Sequence, residues 1–197
     1  ESRLEAIRQH GFTVANIAKA DMLQIVYDEV VKAVEDGTSV KEFKENIQTR
    51  FVESGFSTMG VGSRLTTIYR TNMQNAFMAG RYLQMMSVSE SFPYGEYLAV
   101  LDIRTRPTHA ALHGSVVRLD DPFWNSHTPS NGFNCRCRVR AIDDEEVERR
   151  NLRVRKGDDL KKFEPDEGFD HNPAEMYKPN LNKFAPAIRT ALKEVLK

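Results

Sequence analysis

The sequence predicts an α+β fold: a helical N-terminal half packed on a small, mainly antiparallel sheet, with long loops and a closing C-terminal helix. Three observations carry this. Apolar residues recur at helical spacing, between capping and stop signals, as far as Met86. Short apolar or alternating runs suited to strands then appear around 97–101, 115–119 and 135–142. The stretch from Asp120 to Asn134 between them is rich in Asp, Pro, Ser, Asn and Gly, which makes it a loop. A chain that is 40% apolar, with 11 Phe, 6 Tyr and one Trp among 197 residues, has the material for a real core.

In chain order, Asp21 is a plausible N-cap for a helix carrying Met22, Ile25, Val26, Val30 and Ala33 on one stripe, with Gly37 as its stop. Ser39 and Glu42 form a capping box that opens a second helix with Phe43, Ile47 and Phe51, ended by Gly55. Ser63 is read as the cap of a longer helix burying Leu65, Ile68, Tyr69, Met73, Ala76, Phe77, Gly80 and Leu83, with Ala79 and Gly80 packed closely against another backbone. Pro107 suits the first turn of a short helix capped by Thr105 and ended by Gly114. The charged stretch 143–162 reads as a solvated helix or arm. A Pro- and Asn-rich connector and an amphipathic helix with Ile188, Leu192, Val195 and Leu196 follow. The expected division is a helical hairpin at 1–60, a core domain at 61–145, and an arm, connector and last helix at 146–197.

Charge is balanced, 28 Lys plus Arg against 28 Asp plus Glu, so a surface that wraps nucleic acid throughout is not expected; any DNA contact is local and weak. No apolar run approaches the roughly 20 residues that span a bilayer. The chain opens at Glu1 without a signal-peptide pattern, as a fragment or processed product would. Its two cysteines, Cys135 and Cys137, stand one residue apart; a disulfide there would be strained, so folding in a reducing cytoplasm is expected.

Three separated motifs carry the most information. Arg70-Thr71-Asn72 on the long helix precedes Gly80-Arg81. Asp102, Arg104, Thr105, Arg106, Pro107, His109, Leu112 and Gly114 make D-x-R-T-R-P-x-H-x-x-L-x-G. Asp120-Asp121-Pro122-Phe123-Trp124 leads through Asn131-Gly132-Phe133-Asn134 into Cys135-Arg136-Cys137, with a late Gly168-Phe169 and Asn172-Pro173. Their ordered combination, from Arg70 to Pro173, resembles the phage head morphogenesis family, in particular its Mu-F-like minor capsid branch. The resemblance implies an internal head protein of the virion, folded in the host cytoplasm. It implies action by contact with the portal protein and inner capsid or scaffold proteins in procapsid assembly, with some members linked to DNA packaging or exit. Neither catalysis nor a cofactor is expected of it.

Several residues are weighed on that background. Arg70, Asp102, Arg104, Thr105, His109, Gly114, Asn134 and Cys135 are expected to form an architectural polar knot joining the Asp102–Gly114 turn to the Asn131–Cys137 return, with Asp102 paired to Arg104, Arg106 or Arg70. A zinc ion would take His109, His113, Cys135 and Cys137. Against it, the C-x-C spacing is read as parting the two sulfurs. In addition, where related head proteins often carry C-x-x-C and H-x-x-C, this chain has Arg106, His109, Gly132 and Cys135. A zinc-stabilised DNA-binding module is one alternative function. A toxin-like enzyme acting on nucleic acid or nucleotides through His109, Arg104 and Cys135 is the other. Arg149, Arg150, Arg153, Arg155 and Lys156 are the candidate DNA contacts, diluted by neighbouring acids. Phe123 and Trp124 are a candidate partner anchor, weighed against Trp124 as a core plug.

Overall fold

A computed structural model describes residues 20–176, so the expected helix around Ile188–Leu196 lies outside the described residues. The described chain divides into two compact units, one of residues 20–76 with Phe133–Cys135, the other of residues 77–132 with residues 136–176. This division falls inside the long helix, not at the expected 60 and 145.

In the first unit, α1 (Ala20–Asp36) and α2 (Val40–Glu53) form the expected hairpin, joined at Gly37 with φ +71°. Ser39 has extended backbone and accepts the Glu42 amide at 3.2 Å, which starts α2. Ile25, Val26, Val30 and Ala33 meet Phe43, Ile47 and Phe51, and Leu65 and Ile68 of α3 (Gly62–Ser87) complete the cluster. Each fully buried large side chain contributes on the order of 2 kcal/mol. Glu29, also buried, is held by Arg50 at 3.1 Å and Asn46 at 3.0 Å. The helix α3 begins one residue before the expected cap, Ser63.

The buried face of α3 differs from the expected one. Leu65, Ile68, Thr71, Asn72, Met78, Ala79 and Met85 are buried, whereas Phe77 is 55% exposed and Gly80 has nothing near its Cβ position. An apolar pattern cannot see that Thr71 and Asn72 belong inside, where Asn72 Nδ2 donates to the Ile68 carbonyl at 2.8 Å. Counting them turns the stripe away from Phe77.

The second unit is built on a three-stranded antiparallel sheet, in the order β2-β1-β3, of β1 (Tyr94–Leu98), β2 (Val116–Arg118) and β3 (Arg138–Ile142). The strands fall where the apolar runs pointed, with β1 three residues earlier. Short helices α4 (Pro107–Leu112), α5 (Trp124–His127), α6 (Asp144–Arg149) and α7 (Pro173–Met176) fill the connections. The stretch expected as a solvated arm is instead stitched to the sheet. Val154 bridges Val116 in parallel, the Arg155 amide donates to the Val116 carbonyl at 2.8 Å, and Gly157 and Leu160 are buried.

Two features of β1 organise this unit. Gly95 lets the indole of Trp124 lie against the strand: a Cβ there would sit 2.7 Å from Trp124 Cζ2 and 3.1 Å from Leu119 and Val139 side-chain atoms. Trp124 Nε1 donates to the Arg118 carbonyl at 2.8 Å, and the Phe123 ring packs edge-on at 5.0 Å. On the other face, buried Glu96 stands opposite Arg140 in the β1–β3 register and accepts from Arg140 Nε at 2.7 Å and from both Arg150 Nη atoms at 2.9 and 2.8 Å. Both guanidiniums also bind Glu146 on α6, at 2.6 and 3.0 Å. The Arg150 hydrogen bonds, with those of Arg140, hold the Glu96 carboxyl below its ordinary range.

Gly95→Ala should destabilise the chain by about 2 kcal/mol through overpacking against Trp124, read as a lower denaturant midpoint with unchanged slope. Glu96→Ala should cost about 3 kcal/mol by stranding two cations. That is the low end for a broken buried pair, because both guanidiniums keep part of their surface in water. His127 is 3% exposed and stacks on Phe123 at 4.3 Å, and burial pushes its imidazole below the ordinary value of 6.5. The unfolded chain then binds the proton first, so stability should fall as pH drops below about 6.5. Melting temperatures between pH 7.5 and 5.5 check this, with a flatter profile expected for His127→Gln.

Candidate functional site

The β1–β3 pairing ends at Leu98 opposite Arg138. Continued one step further in the same antiparallel sense, it carries the loop after β1 alongside the residues just before β3. There Arg136 grips Asp102 through two hydrogen bonds of 2.7 Å, one to each carboxylate oxygen. This pair holds the Asp102 carboxyl far below the usual carboxylate range. Asp102 also accepts the Arg104 amide at 3.0 Å and lies 3.5 Å from the Arg104 guanidinium. The Thr105 hydroxyl bonds the Val100 carbonyl, closing the loop on itself. The apolar side chains of this closed loop face water: Val100 is 42%, Leu101 62% and Ile103 fully exposed.

Behind the loop, α4 opens on Pro107. Its N-cap is Arg106, without a side-chain cap bond, and not Thr105, whose hydroxyl is engaged with Val100. His109 faces inward, 3% exposed, with Nδ1 3.5 Å from Cys137 Sγ. The C-x-C sulfurs do not part as expected. Cys135 and Cys137 are both buried while Arg136 between them is exposed, because positions i and i+2 of an extended chain share a face. His113 departs from the expected ligand set: it is exposed, and its Nδ1 accepts the Ala99 amide at 3.1 Å.

The expected knot is thus assembled in part. Asp102, Arg104 and Thr105 meet the return segment through Arg136, which sequence reasoning left out of the knot, and His109 meets it through Cys137. Arg106, a proposed partner of Asp102, pairs with Asp166 at 2.8 Å. A Cβ on Gly132 would collide with that same carboxylate. Gly114, with φ +73°, donates its amide to the Tyr97 carbonyl at 2.8 Å and so returns the chain to the sheet. Asn134 belongs to the first unit, where its amide and side chain donate to Thr71 and Thr67 hydroxyls at 3.3 Å. Arg70 is exposed on α3.

Phe123 and Trp124 are wholly buried and offer nothing to a partner; the Trp124 pocket over Gly95 accounts for both. Of the candidate DNA contacts, Arg150 is engaged by Glu96 and Glu146, and Arg155 donates to Ser115 at 3.4 Å. Arg149, Arg153 and Lys156 are exposed.

Over 190 residues the chain is 37% identical to "Putative capsid assembly protein F" of Escherichia phage Mu, covering 88% of this chain and 43% of that protein. Over 194 residues it is 34% identical to the Mu-like prophage FluMu F protein of Haemophilus influenzae, covering 92% of this chain and 47% of that protein. The chain therefore spans less than half the length of these relatives. No solved structure matches it. Residues 24–140, which include most of the helical hairpin, the Asp102 loop and both cysteines, match the family described as Phage Mu protein F like protein, and the chain belongs to that family.

Proposed function

We propose that this chain is a docking body of a tailed-phage head, acting by protein–protein contact with the portal protein and with inner capsid or scaffold proteins during procapsid assembly. Its place is inside the head of the virion, and its role is architectural, not catalytic. The observation that carries this reading is the pinned loop. Asp102 is clamped bidentately by Arg136, and the chain on either side of it presents Val100, Leu101 and Ile103 to water. Exposed apolar side chains on an ordered loop cost little entropy to bury against a partner. The capsid-assembly name of the phage Mu relative and the absence of a net charge on the chain support the same reading. His109 and Cys135, the base and nucleophile of a catalytic reading, are 3% and 5% exposed, which favours packing over substrate contact.

Ile103→Asp should leave the melting temperature unchanged, since the side chain touches nothing that folding buries, yet lower the yield of filled heads by roughly tenfold or more. The assay is complementation of a phage lacking the gene, with particles counted by electron microscopy. Normal head yield from an Ile103→Asp, Leu101→Asp double variant sinks the docking role of this loop. A folded His109→Gln protein that enters heads normally yet leaves them inactive sinks the architectural one.

A further inference from the structure

We propose that the partner surface receiving loop 100–105 is a protein pocket, apolar at its floor and rimmed by aspartates or glutamates. The inference rests on the docking role proposed above and names the chemistry of what is docked. Between Ala99 and Leu119 the sequence holds one acid, Asp102; the residues from Arg136 to Ala141 hold none, against three arginines. That one acid is already engaged. Arg136 takes both of its oxygens at 2.7 Å, and the Arg104 guanidinium stands 3.5 Å away. Arg106 and Arg140 have acids elsewhere, in Asp166 and in Glu96 with Glu146. Setting the three remaining guanidiniums, of Arg104, Arg136 and Arg138, against Asp102 leaves a surplus of two positive charges here, on a chain whose formal net charge is zero.

The charge sits close to the apolar tip. Arg104 directly follows Ile103 and keeps 74% of its side chain in water, and Arg138 is exposed opposite Leu98, two residues ahead of Val100. Burying Leu101 and Ile103 gains free energy only against apolar surface. A guanidinium beside such a contact loses water, and an opposing acid offsets that loss. Phosphates would serve the arginines, yet a nucleic-acid backbone would leave both aliphatic side chains without apolar cover. A second copy of the same surface would set like charge against like. The Asp102–Arg136 clamp fixes the loop before a partner arrives, so tip and cations are presented together.

The test begins with Ile103→p-benzoylphenylalanine in the full-length protein, supplied to assembling phage heads, irradiated, and mapped by mass spectrometry. The expected product joins position 103 to another head protein, at an apolar segment flanked by Asp or Glu. A cross-link to DNA, to a second copy of this chain, or to a segment without nearby acids overturns the proposal. Charge is tested separately in the complementation assay. Arg104→Gln with Arg138→Glu should lower the yield of filled heads roughly tenfold, whereas Arg104→Lys with Arg138→Lys should keep it within about twofold. Lysine in place of the acids at the cross-linked rim should restore heads to the Arg138→Glu chain. Melting temperatures check that each variant folds; if one does not, the cross-link, made with every arginine in place, still decides. If Ile103→Asp lowers head yield while the charge variants assemble normally, the loop docks without an acidic rim and this inference alone fails. If both sets assemble normally, the docking role fails with it.

Discussion

A carboxylate buried on the middle strand of a small sheet is tolerable only where cations come to it, and Glu96 sets that requirement for the second unit. Arg140 answers from the directly opposed position on β3, which fixes the register of that strand. Arg150 answers from beyond α6, which obliges the chain after β3 to fold back over the same face. Glu146, placed by the Asp143 cap whose carboxylate accepts its amide at 2.7 Å, then holds both arginines together. A one-residue slip of β3 would put Arg140 on the Trp124 face and leave Glu96 alone.

The same register decides where the clasp forms. With Leu98 opposite Arg138, the residues just before β3 run beside the loop that leaves β1. Asp102 and Arg136 meet there at the surface, and His109 and Cys137 meet beneath them. The outer contact is a salt bridge open to water, which confers geometry more than stability. The inner one is dry. Between them the loop from Val100 to Thr105 is held with its apolar side chains outward, an arrangement that folding alone gives no reason to keep.

Much of the local architecture was legible in the sequence because its signals are local. Ser39 with Glu42, Gly37, Pro107 and Gly114 each act within a few residues, and each marks an element end in the structure. What stayed hidden depends on pairs far apart in the chain. Nothing near Trp124 says that Gly95 leaves room for its indole, and an exposed arginine such as Arg136 has many acids it could bind. An apolar pattern misses the buried face of α3 because Thr71 and Asn72 are polar residues that the fold satisfies internally. The charged stretch after β3 looks solvated in sequence because its acids and bases alternate; in the structure several pair with one another and with Glu96.

The flanks of the sheet carry a last consequence. Beside β2 a single bridge through Val154 occupies the backbone of Val116, and beside β3 the Arg81 side chain donates to the Val139 carbonyl at 2.8 Å. Both margins of the sheet thus have backbone groups already spoken for, by one chain crossing and one guanidinium. Strand-to-strand fusion between copies is thereby disfavoured, which would let such molecules crowd together at high local concentration without zipping into aggregates.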